Sequence, residues 1–228
     1  MGGWVVSGRL IFSAVSKLVA GIVLVGGLLF LPAGTFAFAN GWLLMGILFV
    51  PILIMGVILL VKNPTLLQKR LEAKEEAKDQ SAVVKLSGLM FCVGFILAGL
   101  GYRFGWYRLP PMLSVIGAVI FLLSYVLYAE VLRENTYLSR TIRVQDGQQV
   151  IDTGLYRIVR HPMYSATLFL FWSVPLILGS AYALAVFLVY PLLIAKRIEG
   201  EEALLEKELQ GYAEYKEKVK YRLIPFVW

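Results

Sequence analysis

Pro162-Met163-Tyr164-Ser165-Ala166-Thr167-Leu168-Phe169-Leu170-Phe171-Trp172-Ser173-Val174-Pro175-Leu176-Ile177-Leu178-Gly179-Ser180-Ala181 opens an apolar block that runs on to Ala195. A helix that crosses a bilayer needs about 20 mostly apolar residues. The block is too long for one crossing, and Gly179-Ser180 near its middle is a turn signal. It reads as a hairpin of two helices, Pro162 to Leu178 and Ala181 to Ile198, with a short first arm that is tilted or only partly inserted. This reading decides the topology, because it sets whether the number of spans is odd or even.

Four further apolar segments of spanning length precede the hairpin: Leu10 to Leu31, Gly41 to Val61, Ala82 to Tyr102 and Met112 to Leu132. The first is longer than the apolar part of a signal peptide and no small-residue cleavage site ends it, so it reads as a retained span. The composition agrees: 59% of the residues are hydrophobic and 16% charged, against about 25% charged in ordinary soluble domains. The expected fold is all-α, a polytopic transmembrane bundle of about six spans. Residues 1–132 form an N-terminal four-helix transmembrane region. Residues 133–228 form a C-terminal catalytic region: a polar loop, the hairpin and an amphipathic tail helix.

The basic residues test the even count. The connections Pro32–Asn40 and Gly179–Ser180 contain no Lys or Arg, and Tyr102–Pro111 contains two, Arg103 and Arg108. Lys62–Gln80 carries five, Arg133–His161 five, and the tail from Lys196 seven. With six spans every basic-rich segment falls on one face, and the positive-inside rule makes that face, with both termini, cytoplasmic. In a bacterium the membrane would be the inner one. The formal net charge of +7 then points to anionic lipid headgroups and away from nucleic acid. A single cysteine, Cys92, and a single histidine, His161, exclude an internal disulfide and a four-ligand zinc site. No metal is expected, and Cys92, within an apolar run, reads as packing.

Three polar stretches remain. Thr65 to Gln80 reads as a charged surface helix with Leu66, Leu67 and Leu71 on one side. Asp146-Gly147 is a turn between two short extended pieces, Thr141–Gln145 and Gln149–Ile151. Glu199 to Lys220 reads as a charged helix ended by Ile224-Pro225.

Chemistry-bearing residues gather at two places. In Tyr156-Arg157-Ile158-Val159-Arg160-His161-Pro162-Met163-Tyr164, Pro162 fits the first turn of a helix and biases His161 away from helical geometry. His161 is thereby expected at the mouth of the fifth helix, beside free N–H groups that favour an anion. Arg157 and Arg160 add charge there. The same residues also read as a positive-inside anchor with an interfacial tyrosine, and spacing does not decide between the two. At the end of the sixth helix, Arg197 and Glu201 lie four apart and share a face, with Glu202 beside them. These carboxylates suit an ammonium or ribose hydroxyls, or equally a solvated helix face. Tyr212, Tyr215, Tyr221, Arg222, Phe226 and Trp228 read mostly as an interfacial belt. No glycine-rich phosphate loop or dinucleotide fingerprint is present.

Taken in order, Gly154-x-Tyr156-x-x-x-Arg160-His161-Pro162-x-Tyr164, Arg197-x-x-x-Glu201-Glu202, Gly211-Tyr212, Tyr215 and Arg222-Leu223-Ile224-Pro225 resemble the isoprenylcysteine carboxyl methyltransferase family in its bacterial branch. Asn63-Pro64, Arg103-Phe104-Gly105-Trp106 and Glu134-Asn135 add to the likeness. Phospholipid N-methyltransferases share the His-Pro-x-Tyr and Glu-Glu pattern, so the likeness leaves the substrate open. One departure is Ser165-Ala166, where the family often has a glycine. The resemblance implies an S-adenosylmethionine-dependent integral membrane methyltransferase that O-methylates a carboxylate of a prenylated or other lipidic acceptor. Phospholipid N-methylation is the alternative, and a non-enzymatic membrane scaffold the bland one. It implies that Tyr156, His161, Pro162, Tyr164, Glu201 and Glu202 hold the cofactor. Arg197 or Arg160 orients the acceptor, and Glu201 is the base should that acceptor be an amine.

Overall fold

The computed structural model describes residues 8–71, 78–138 and 144–228. Long helices dominate: α1 (Gly8–Ala33), α2 (Ala39–Lys62), α4 (Lys78–Arg103) and α5 (Pro111–Glu134), with a short α3 (Pro64–Leu71) after α2. The C-terminal part holds a 3-10 turn (Gly154–Arg157), then α6 (Pro162–Leu178), α7 (Ala181–Phe187), α8 (Tyr190–Glu208) and α9 (Tyr212–Lys218). Among the described residues, five helical segments are long and apolar enough to cross a membrane: α1, α2, Ser81–Arg103, α5 and Ala181–Glu208. Their outward residues are large and apolar, with Phe12, Val23, Leu123 and Val126 all more than 60% exposed. Such a surface is stable against lipid and not against water. The chain is an integral membrane protein built as a helical bundle.

The hairpin forms, and α6 has the expected bounds. At 17 residues it is about 25 Å long, short of the ~30 Å hydrocarbon core. It packs along α5 in the opposite direction, and the 3-10 turn preceding it meets the end of α5. Near the start of α5, Leu109 N–H donates to Gly179 O at 2.9 Å, and Arg108 bridges Ser180. At the other end, Asn135 donates to the Tyr156 hydroxyl at 3.0 Å. Gly117 permits the closeness, since a Cβ there would come within 2.8 Å of Leu176. Likewise, a Cβ at Gly94 would collide with Phe187 and one at Gly99 with Leu29 O. Small residues at helix contacts are how helices approach in lipid, where hydrophobicity no longer drives them together.

The structure corrects several expectations. The sixth span is not one helix: it breaks at Leu188-Val189. Pro191 lacks an N–H and its ring clashes with the carbonyl four residues back, at Phe187, where α7 ends. The charged tail is not continuous either. α8 runs to Glu208, Gly211 adopts φ +84°, and α9 starts afresh at Tyr212. α3 stops at Leu71 within the described residues, and Lys78 to Gln80 belong to α4. Asp146-Gly147 does turn, with Gly147 at φ +69°. Gln149–Ile151, however, forms no strand, and Thr141–Arg143 lie outside the described residues. One apolar cluster joins Leu29 on α1 to Leu223 in the tail, and a smaller one gathers Leu209, Tyr212, Tyr215 and Val219.

Candidate functional site

The site forms where α5 ends, α6 begins and α8 leaves the apolar region. Three elements far apart in sequence meet there, each for a local reason. Gly154 comes first, at φ +50°. A Cβ at Gly154 would lie 1.3 Å from Glu134 Oε1, so only glycine admits the Glu134 carboxylate. Glu134 Oε2 in turn accepts the Leu155 N–H at 3.0 Å and ties the 3-10 turn to the end of α5. The turn buries Tyr156, whose carbonyl accepts the Tyr215 hydroxyl at 2.7 Å.

Arg160 and His161 follow. Their backbone N–H groups donate to Tyr221 O and Arg222 O, each at 2.9 Å, which laces the C-terminal segment onto the mouth of α6. Pro162 is the first residue of α6, and His161 its N-cap. The expected anion at this helix mouth is supplied by the protein itself. Glu202 Oε1 accepts Arg160 Nε at 2.7 Å and lies 3.1 Å from His161 Nε2, and its Oε2 accepts Arg222 Nε at 3.1 Å. Arg160 Nη1 also donates to Val219 O and Lys220 O. Arg160, His161 and Glu202 are each at most 7% exposed.

Glu201, one residue earlier, takes a different part. Its Oε2 accepts the Tyr164 hydroxyl at 2.6 Å, and the same hydroxyl accepts Arg197 Nε at 3.1 Å. Arg197 and Glu201, one helical turn apart on α8, are thus joined through Tyr164 of α6.

These groups face a cavity that opens through a wide mouth. Tyr156, Arg160, His161, Tyr164, Arg197 and Glu201 line it; Pro162 and Glu202 stand behind the wall. The opposite wall comes from Asn135, Tyr137, Gln149 and Val150 of the polar loop and from Leu205, Leu209, Tyr212 and Tyr215. Tyr212 and Tyr215 are therefore not an interfacial belt: each is 4% exposed. Burial holds the phenols of Tyr156, Tyr212 and Tyr215 well above their ordinary value, so they remain hydrogen-bond donors. The Tyr212 hydroxyl is buried and has no hydrogen-bond partner among the described residues. A buried polar atom left in this state faces a ligand or water more often than nothing. The sequence carried signals for this wall at Asn135, Gly211-Tyr212 and Tyr215; Tyr137, Gln149 and Val150 carried none.

Residues 112–210 match the family model of the phospholipid methyltransferases. That segment holds α5, the polar loop, α6, α7 and α8, and so most of the cavity. The chain is also similar to a Delta(14)-sterol reductase of Mus musculus, 34% identical over 93 residues. Those residues are 39% of this chain and 22% of the relative, so the chain spans about a fifth of that protein's length. The match to a membrane methyltransferase family supports an enzyme, and it falls on the part of the chain that builds the site.

Proposed function

We propose that the protein is an S-adenosylmethionine-dependent methyltransferase acting on a lipidic acceptor. The observation that carries this reading is the joining of Tyr164, Arg197 and Glu201 at the wall of a cavity roofed by tyrosines. The residues present fit that cofactor. Glu201 offers a carboxylate to its ammonium group, and Asn135 and Gln149 offer amides to its hydroxyls and base. The rings of Tyr156, Tyr212 and Tyr215 suit a sulfonium, since aromatic faces attract cations. The Tyr212 hydroxyl, unpaired among the described residues, would gain a partner. Pro162 sets the start of α6 and Glu202 anchors His161, so both serve the pocket from behind its wall.

When bound, S-adenosylmethionine supplies a methyl group on a sulfonium, ready for in-line displacement. A carboxylate acceptor is already anionic near pH 7 and loses no proton in the reaction. Positioning and exclusion of water then suffice, and holding two reactants in line supplies about 7–11 kcal/mol. Arg197 and Arg160 both line the cavity, and either could orient such a carboxylate by a two-point contact. This favours O-methylation of a prenylated or similar acceptor.

Phospholipid amine methylation is the second reading, favoured by the family match to residues 112–210. An amine acceptor must shed a proton, and Glu201 is the carboxylate on the cavity wall that would take it. The distribution of basic residues supports a cytoplasmic site with both termini on the same face.

Calorimetry of the purified protein with S-adenosylhomocysteine tests the core of the proposal, with a reduced nicotinamide nucleotide as the counter-ligand. Binding of the nicotinamide nucleotide alone would overturn it in favour of a reductase. A labelled-methyl assay then separates the two acceptors, because base releases methanol from a methyl ester and not from an N-methyl group.

A further inference from the structure

The end of the bundle opposite this site holds a second and larger cavity that the proposed chemistry does not use. It encloses about 1440 Å³, mouth included, between the α1–α2 connection, the α4–α5 connection and the turn at Gly179-Ser180. Its polar groups converge. Asn40 Nδ2 donates to Ser114 Oγ at 3.3 Å, and Ser114 and Ser180 are buried. Arg108 lines the wall, pinned by a 3.0 Å hydrogen bond to Tyr102 O and by its guanidinium lying 4.9 Å from the Tyr102 ring centroid.

The charge is of one sign. No acidic residue is found among the described lining. Two 24-residue helices, α2 and α5, start at this wall with Ala39 and Pro111, and neither has a side-chain cap. Helix starts carry partial positive charge. Arg108 also breaks the pattern of the chain, since on this face only the α4–α5 connection carries Lys or Arg. A charge kept where membrane topology disfavours it needs a reason. Beside the polar groups the wall is apolar, with Phe38, Leu43 and Val115, and Val115 is 64% exposed toward the surrounding lipid.

We propose that this cavity binds the headgroup of an anionic phospholipid, with Arg108 and the starts of α2 and α5 on the phosphate and Leu43 and Val115 along an acyl chain. The two polarities of the cavity match the two parts of that molecule, and the chemistry does not depend on the activity at the opposite end.

The test is native mass spectrometry of the purified full chain with phosphatidylglycerol and phosphatidylcholine at equal concentration. Phosphatidylglycerol is expected to be retained in preference. Arg108→Gln and the cavity-filling Val115→Trp are each expected to cut that retention about fivefold or more. Val115 is exposed, so its replacement leaves the fold intact, and thermal unfolding read by thiol labelling of Cys92 checks both variants. Equal retention of the two lipids would overturn the proposal. So would a preference that survives both variants, which would place the lipid on the basic face. Displacement of phosphatidylglycerol by millimolar inorganic phosphate would make the ligand a free anion and overturn the lipid assignment.

Discussion

Arg160 and Glu202, 42 positions apart, meet through a 2.7 Å contact between Nε and Oε1, with side chains 5% and 4% exposed. Removing one partner of such a pair leaves a charge buried without compensation and costs about 3–5 kcal/mol. Glu202→Gln is expected to lower the Tm in detergent by about 10 °C, read by Cys92 labelling. Arg222→Ala strips a contact from a side chain that is 27% exposed and should lower it much less. Equal Tm values for wild type and Glu202→Gln would mean that the pair does not hold the C-terminal segment in place.

Tyr164→Phe removes the hydroxyl that joins Arg197 to Glu201. Hydrogen bonds to charged groups contribute about 1.5–3 kcal/mol, so binding of S-adenosylhomocysteine should weaken about tenfold or more. The ring stays buried, and only a modest change in Tm is expected. Unchanged affinity would remove this junction from the binding machinery.

Tyr212→Phe deletes a buried hydroxyl with no partner among the described residues. Stability should hold or rise slightly, because an unsatisfied buried group is lost. S-adenosylhomocysteine binding should weaken about fivefold, on the scale of one hydrogen bond. A variant that is destabilised while binding normally would give this tyrosine a structural part only.

Gly154→Ala sets a Cβ on the Glu134 carboxylate, at a φ of +50°. The Glu134–Leu155 hydrogen bond should break and the 3-10 turn shift, moving Tyr156 in the cavity wall. Loss of ligand binding by an order of magnitude is expected, with a fall in Tm of a few degrees. Glu134→Ala combined with Gly154→Ala relieves the clash and should recover part of the Tm.

Much of this molecule was legible from local sequence. Apolar runs of spanning length set the bundle, because in lipid a backbone can satisfy itself only as helix or closed barrel. Pro162 marked the start of α6 and Gly179 its end, since each enforces a backbone geometry by itself. Local pattern could not locate the break at Leu188-Val189, whose cause is a proline acting on a carbonyl one turn away. Nor could it tell Glu201 from Glu202. The two are neighbours of like chemistry, yet rotation along α8 turns one into the cavity and the other onto Arg160 and His161. Tyr212 and Tyr215 looked like interfacial residues because composition does not record what a side chain packs against. The sequence by itself determined that the chain lies in a membrane and that Arg160-His161-Pro162 opens a helix. Only the tertiary structure decided that the partner at that mouth is Glu202, because a buried charge takes whichever counter-charge the fold brings to it, however distant along the chain.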